Sequence, residues 1–312
     1  MKHARIVSLF KRILAMLVVV FVTLTATFFI MHTIKGDPFL SHIEDLSPQA
    51  RQRYITEYGL DKPLFQQYGI FLKNLLHGDL GVSFRNRTST VTDVIQSSLP
   101  ASLITGGISL IIGTVIGYLL GVWAAYEKKR WLKSCITTVS MLGISLPIFI
   151  VAPVMQNIFA LRLNLLPVAG WNSNSNLVLP VICMLPLTVA TIMKYTKNSI
   201  EKVHGSGYYI AAKQRGFSEV YIFKKHIFKN SSAALLTVLV SSVSGIFTGS
   251  FIVEKIFAIP GIGSQFVYAI NTRDYPIIIG LNIVFTGIYV TCILIGDILQ
   301  EILYPQFKDS LL

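Results

Sequence analysis

Six histidines and three cysteines carry the side chains best suited to bind a metal or to attack a substrate. Their spacing matches neither the H-E-x-x-H pattern of zinc peptidases nor the C-x-x-C pattern of metal and redox sites. The serines form no G-x-S-x-G elbow, and no G-x-x-x-x-G-K-[ST] loop is present to hold the phosphates of a nucleotide. The sequence therefore predicts a chain that has no catalytic residues and binds no metal or cofactor of its own.

A different pattern, suited to docking rather than to catalysis, runs from Tyr209 to Ser218. Two adjacent alanines permit close backbone approach, basic residues follow them, and a glycine can adopt the left-handed turn that ends a helix. Such a helix could insert its tip into a groove of a partner protein. The candidate residues are Ala211, Ala212, Lys213, Arg215, Gly216 and Ser218.

The composition indicates that this docking helix belongs to an integral membrane protein. Of the 312 residues, 53% are hydrophobic and only 13% are charged, and the mean hydropathy is +0.61. A soluble domain carries about 25% charged residues. Six apolar tracts approach the roughly 20 residues that span a bilayer. They are Ile13–Ile34, Leu99–Tyr126, Ser134–Leu161, Leu177–Met193, Ser231–Val253 and Ile277–Ile295.

None of the six tracts contains Asp, Glu, Lys or Arg in its interior. Carriers coupled to protons or sodium place ionisable residues within the membrane, so we expect the energy for any active transport to come from another chain. The polar residues Gln156, Asn157 and Asn282 could line a solute path or form helix–helix hydrogen bonds, and we favour the second interpretation. The sequence identifies no residue that binds cargo.

The distribution of basic residues predicts the orientation of these spans. The net charge of +12 at first favours nucleic-acid binding. However, if successive spans cross the membrane in opposite directions, most of the basic residues lie on the same side of it. Eight of them lie between Lys194 and Lys229. The positive-inside rule then puts both termini in the cytoplasm, with the first span retained as an anchor. We therefore assign the charge to membrane topology and expect no nucleic-acid partner.

Two polar segments separate the spans. The outer one is predicted to form a helix from Ser47 to Gly59 and an amphipathic helix from Pro63 to Gly78. The inner one, residues 194–230, is predicted to form a helix over 198–215, a stop at Gly216 and a second helix over 219–229 capped by Ser218. The resulting segments are 1–34 (N-terminal stretch and first span), 35–98 (extracytoplasmic loop), 99–303 (core of five helices) and 304–312 (cytoplasmic tail).

The inner segment resembles the EAA coupling loop in the membrane subunits of binding-protein-dependent ABC importers. Residues 58–64, 78–84, 254–263 and 273–276 are similar to outer-loop signatures of the peptide and nickel branch of that family. Three positions depart from its pattern: Ile210 replaces an acidic residue, Ala233-Ala234 replaces Leu-Pro, and Tyr304 replaces an aspartate. The outer-loop residues that carry the resemblance are Phe257, Pro260, Gly261, Gly263, Asp274 and Pro276.

This resemblance implies an all-α integral membrane protein of six transmembrane helices with the type I ABC importer permease fold, in the bacterial cytoplasmic membrane. It also implies a second homologous permease subunit, two cytoplasmic ATPase subunits that hold ATP and magnesium, and an extracytoplasmic solute-binding protein. Residues 166–171 and 36–39 are similar to the oligopeptide subgroup, so we expect oligopeptides as cargo. Dipeptides, nickel or a metal chelate remain alternatives within the family. A secondary carrier or channel, or a membrane-anchored adaptor, remains an alternative outside it.

Overall fold

The computed structural model describes residues 2–33, 48–49, 52, 55–56, 59, 61–86 and 88–303. Within its helices, the side chains of residues 2–9, 226, 229–230, 233–234, 237, 241, 244–250 and 303 are outside the description. Most of the predicted helix from Ser47 to Gly59 and the predicted tail 304–312 also lie outside the described residues.

The described chain is helical over most of its length. Its only paired backbone of the strand type is an isolated bridge between Val82 and Thr90. The α-helices are α1 (Lys2–Thr33), α2 (Leu64–Leu76), α3 (Val91–Tyr126), α4 (Arg130–Ser145), α5 (Ile148–Met155), α6 (Val178–His204), α7 (Gly207–Gln214), α8 (Glu219–Ile222), α9 (Phe228–Ile256), α10 (Ile262–Thr272) and α11 (Tyr275–Leu303). Segments of π-helix follow α5 (Gln156–Arg162) and α8 (Phe223–Ile227), and a 3₁₀ turn (Asn174–Leu177) precedes α6.

Four predicted spans coincide with helical segments that are long and apolar enough to cross a membrane. These segments are Phe10–Thr33, Val91–Tyr126, Asn174–His204 and Tyr275–Ile302. The predicted span Ser231–Val253 lies inside α9, whose 29 residues rise about 44 Å and so exceed the hydrocarbon thickness of a bilayer.

The predicted span 134–161 is not one straight helix. It is divided into α4 and the segment Ile148–Arg162, which meet at an angle of 98°. Leu146 has extended backbone (φ −85°, ψ 117°) because Pro147 disfavours the helical conformation in the residue before it. The tract is predominantly apolar, so its composition alone does not show that the chain changes direction at Pro147.

The amphipathic helix predicted from Pro63 to Gly78 is confirmed as α2. It lies in the first of two compact units, which comprises Met1–Pro100 and Pro260–Val290. In that unit, the buried side chains of Leu24 and Phe28 in α1 and of Ile279 in α11 pack with one apolar face of α2. The residues of α2 in this cluster are Leu64, Tyr68, Phe71 and Leu75. This part of the apolar stripe of α2 therefore packs within the protein, whereas Phe65 and Leu76 are exposed.

The second unit comprises Ala101–Ile259 and Thr291–Leu312, and glycines set the packing of α3 on α6 within it. Gly113, Gly117 and Gly121 are spaced four residues apart and lie along one face of α3. A Cβ atom added to Gly117 would lie 2.7 Å from the carbonyl oxygen of Val189 and 2.8 Å from the Cβ of Ile192. The two helices therefore approach at backbone distance, as small residues allow in membrane proteins.

Candidate functional site

The inner segment 194–230 does not form the long first helix that the sequence predicts. Helix α6 ends at His204, Ser206 is extended (φ −84°, ψ 147°), and α7 begins at Gly207. Both the hydroxyl and the N–H of Ser206 donate to the carbonyl oxygen of Val203, at 2.6 and 3.0 Å, and so satisfy this acceptor at the end of α6. The prediction of a continuous helix over 198–215 was wrong, and most of the residues predicted to dock lie in or next to the separate eight-residue α7.

Gly216 ends the docking helix by the turn that was predicted for it. Its φ is +77°, and a Cβ atom there would meet nothing within 4 Å. Glycine is therefore required by the backbone conformation and not by lack of space. The predicted cap is also confirmed, because the Tyr221 N–H donates to the Ser218 hydroxyl at 3.3 Å.

The second helix of the inner segment does not stop at Lys229 as predicted. Helix α8, the π-helix Phe223–Ile227 and α9 follow one another without interruption from Glu219 to Ile256. A π-helix is a common way to insert a residue into a helix near a functional site. The inner segment is therefore continuous with the helix that contains a predicted span.

A cluster of three side chains joins α7 to the start of α8. The Tyr209 hydroxyl lies 3.2 Å from each carboxylate oxygen of Glu219 and donates to that group. The Lys213 ammonium lies 3.1 Å from Glu219 Oε1 and 5.8 Å from the centre of the Tyr209 ring. Tyr209 and Lys213 are four residues apart and so lie on the same face of α7.

The charges of this cluster reinforce one another. Burial opposes ionisation of Glu219, but the hydrogen bonds from Lys213 and Tyr209 outweigh it and lower the pKa of Glu219. The hydrogen bond to Glu219 raises the pKa of Lys213. Burial, followed by the nearby Glu219 charge, raises the pKa of Tyr209. At neutral pH the cluster thus holds a carboxylate, an ammonium and a neutral phenol.

One side of α7 packs into the core of its unit. Tyr209 and Ala212 are buried with Ile200 and Val203 of α6 and with Ile222 of α8. Ala212 was predicted as a docking residue, but it faces this core. A small side chain fits at Ala212 because α7 packs closely against α6 and α8 of the same chain.

The other predicted docking residues are exposed, together with large apolar side chains. Ala211, Lys213, Arg215, Gly216 and Ser218 are all exposed. The exposed fraction is 64% for Val220 and about half for Ile210, at 49%. Phe217 and Tyr221 are also exposed, and their rings stack with centroids 4.9 Å apart. We refer to Ile210, Phe217, Val220 and Tyr221 as the inner-loop apolar residues.

The outer-loop residues divide between the two units. In the first unit, buried Asp274 follows α10 and accepts hydrogen bonds from the Ser83 hydroxyl, from the Phe84 N–H at 3.1 Å and from the Arg85 N–H at 3.3 Å. This carboxylate ties the segment before α3 to the start of α11. Gly261, Gly263 and Pro276 are buried in the same unit, whereas Pro260 is exposed.

Phe257 lies at the end of α9 in the second unit and is 1% exposed. Its carbonyl oxygen accepts from the Gly170 N–H at 2.8 Å, and Ala258 next to it has a φ of +50°. In the same unit, the Ser102 hydroxyl of α3 donates to fully buried Glu254 of α9 at 2.7 Å. Among the outer-loop residues, Asp274 and Phe257 therefore hold backbone segments in place through hydrogen bonds.

The helix–helix interpretation of the polar membrane residues is supported for Asn282, whereas Gln156 bonds to a loop. Asn282 of α11 donates to the Thr27 hydroxyl of α1, which is a helix–helix hydrogen bond. Gln156 donates to the carbonyl oxygen of Val168 at 2.6 Å. Among the described residues, His, Cys, Asp and Glu form no group of three or more that could hold a metal ion.

Sequence reasoning did not identify the contact between Tyr209 and Glu219, nor the contact between Ser102 and Glu254. The spacing of Tyr209 and Lys213 was a usable signal, because residues four apart on a helix are neighbours. The Ser102 contact joins residues 152 positions apart, so local pattern gives no indication of it.

Comparison with known families places the chain among membrane transport components. Residues 117–309 match the family described as binding-protein-dependent transport system inner membrane component. Residues 6–105 match the N-terminal membrane component of binding-protein-dependent transport systems.

Similar proteins of known family include permeases from several bacteria. A dipeptide transport system permease protein from Lactococcus lactis subsp. cremoris is 35% identical over 96% of this chain and 98% of its own. One from Bacillus subtilis is 36% identical, covering 96% of each chain. An oligopeptide transport system permease protein from Haemophilus influenzae is 34% identical over 96% of this chain and 98% of its own.

The fold has a counterpart among solved structures. A chain of the MetNI methionine ABC transporter in an inward-facing conformation aligns with a TM-score of 0.50 and 13% identity, covering 68% of this chain and 95% of that one. This likeness concerns the fold alone, and it agrees with the predicted all-α ABC importer permease fold. The chain belongs to the binding-protein-dependent transport system inner membrane component family and is a permease subunit of the bacterial cell membrane.

Proposed function

We propose that the inner segment 194–230 is the cytoplasmic docking site for an ATP-hydrolysing subunit, with α7 as the coupling helix. The observation that carries this proposal is the exposure of the inner-loop apolar residues outside the predicted spans. Exposed apolar surface rimmed by polar groups is characteristic of protein–protein interfaces. The neighbouring exposed charge of Arg215 suits a partner with an acidic groove.

The roles of the predicted residues follow from their positions. Ala211 and Arg215 would contact the partner, Lys213 would hold Glu219, and Gly216 and Ser218 would shape the turn and start the next helix. Ala212 would seat the coupling helix on its own subunit. Both termini would be cytoplasmic, as the positive-inside rule predicts.

The full importer would contain further subunits. Two ATPase subunits would hold ATP and magnesium, and a second homologous permease would complete the solute path. A solute-binding protein would deliver cargo to the outer loops, where Asp274, Pro276, Phe257, Pro260, Gly261 and Gly263 would fix the backbone that it meets. Differential affinity of nucleotide for the two conformations would drive transport.

We propose peptides as the cargo. The relatives named as dipeptide permeases are 35% and 36% identical, and the oligopeptide permease is 34% identical, so di- and oligopeptides are supported about equally. Uptake of a labelled dipeptide, a labelled tetrapeptide and nickel in a strain without this chain, before and after complementation, tests this assignment. Restoration of nickel uptake alone would contradict peptide cargo.

The docking assignment is tested by a pair of glycine variants. Gly216 and Gly207 both have space for a side chain, but only Gly216 has a positive φ. G216V therefore forces a β-branched residue into the left-handed region and should displace the turn, whereas G207V should not. We expect G216V to lose ATPase co-purification and uptake while it still inserts into the membrane. Equal uptake and co-purification in the two variants would contradict the docking assignment.

A further inference from the structure

We propose that Tyr209, Lys213 and Glu219 are positioning residues that clamp the coupling helix α7 to the foot of the helix running from Glu219 to Ile256. Movement imposed on α7 by an ATPase would then pass into that helix. This inference rests on the proposed function, since it assumes that α7 is the element on which the ATPase acts.

The clamp is directional. Two groups on one face of α7 converge on a single carboxylate at the first residue of α8, with distances of 3.2 Å for Tyr209 and 3.1 Å for Lys213. Tyr209 is buried, so its phenol has one fixed orientation. The Lys213–Glu219 pair is largely exposed, and exposed ion pairs contribute little to stability. Its use is therefore to set the position of α7 and not to stabilise the fold.

The two ends of α7 are attached differently. Towards α6, the chain passes through Gly205 and the extended Ser206, where the helix is interrupted. Towards α9, the clamp crosses the Gly216 turn and reaches a helix that continues through the π-helix Phe223–Ile227. Buried Ile222 and Ile227 pack beside Tyr209 in the same cluster.

These attachments determine which neighbouring helix moves when α7 moves. The side chains of Tyr209 and Ala212 contact Ile200 and Val203 in α6 through apolar, non-directional packing, and the hydrogen bond from Ser206 to Val203 holds only the start of α7. The hydrogen bonds to Glu219 have fixed geometry and cannot slide without breaking. Displacement of α7 is therefore transmitted to α9 through Glu219.

The test uses the whole importer reconstituted in liposomes with its ATPases, second permease and binding protein. Uptake of labelled peptide per ATP hydrolysed is measured for Y209F and E219Q, which preserve side-chain size. E201Q is the matched control, because Glu201 pairs with Lys133 at 2.6 Å between α6 and α4 and takes no part in the clamp. The charge swap K213E/E219K serves as the rescue variant.

We expect uptake per ATP to fall by about threefold to tenfold in Y209F and E219Q, the factor given by one hydrogen bond of ordinary strength. ATPase co-purification and thermal stability should stay at the level of the E201Q control, and the charge swap should recover part of the loss. Wild-type uptake per ATP in both Y209F and E219Q would overturn the clamp and leave the docking assignment intact. Failure of the wild-type chain to retain an ATPase would overturn the docking assignment, and the clamp with it.

Discussion

The close approach of α3 and α6 predicts that one methyl group at Gly117 destabilises the protein. In G117A, the added Cβ would lie 2.7 Å from the Val189 carbonyl oxygen and 2.8 Å from the Ile192 Cβ. Carbon atoms pack at about 3.5–4.0 Å, so the helices must separate by close to an ångström or rotate. One obstacle is a backbone oxygen and the other is a β-carbon, so neither can turn aside as a flexible side-chain end could.

The expected magnitude combines two opposing effects. Overpacking of a tight core costs about 1–3 kcal/mol. Alanine is favoured over glycine in a helix interior by about 1 kcal/mol, which offsets part of that cost. Gly107 lies in the same helix and unit but has nothing within 4 Å of its Cβ position, so G107A gains the helical preference without the clash. The two variants should therefore differ by about 1–3 kcal/mol.

The measurement is thermal unfolding of the purified chain in detergent, followed by tryptophan fluorescence at fixed protein and lipid concentration. We expect G117A to unfold several degrees below G107A, and G107A to unfold at or above the wild type. If G117A is as stable as G107A, the glycine-mediated contact between α3 and α6 is wrong.

Two further predictions concern Asp274 and the pH dependence of the inner segment. D274A should destabilise the chain far more than D79A. D274A leaves the buried Phe84 N–H without an acceptor, which costs about 1–3 kcal/mol, whereas Asp79 is an exposed turn residue. Thermal unfolding of both variants checks this prediction. The pKa of Glu219 is lowered. Its contribution to the stability of the inner segment is therefore fully present above the ordinary glutamate pKa and is lost as the pH falls through the lowered value. The pKa of Lys213 is raised. Its contribution to the stability of the inner segment is therefore fully present below the ordinary lysine pKa and is lost as the pH rises through the raised value. Hydrogen exchange of residues 207–222 should therefore be protected equally at pH 7.5 and pH 9 once corrected for intrinsic rates, and protection should decrease at strongly acidic and at strongly alkaline pH.

The sequence was sufficient for features governed by local pattern. Apolar length predicted the helices α1, α3 and α11, and glycine chemistry predicted the turn at Gly216. The same reasoning passed over Pro147, because a proline in an apolar tract can also be accommodated within a transmembrane helix. It also passed over Gly205 and Ser206, where α6 ends and the backbone of Ser206 is extended.

Long-range partners were beyond local pattern. The bond between Ser83 and Asp274 joins residues 191 positions apart, and either residue read alone fits an ordinary surface loop. Likewise, Ala212 and Ala211 have the same chemistry, and only the packing of α7 determines that Ala212 is buried. The motif therefore predicted a short helix in this segment but could not assign its two faces.

The eight-residue length of α7 limits how its recognition can be studied or blocked. Isolated helices shorter than about 12–15 residues are marginal in water, so a synthetic peptide copied from residues 207–214 would lose the shape that the folded subunit imposes. A useful mimic would need a covalent staple, or would need to include the Gly216 turn and the first turn of the following helix, so that Glu219 can again hold Tyr209 and Lys213.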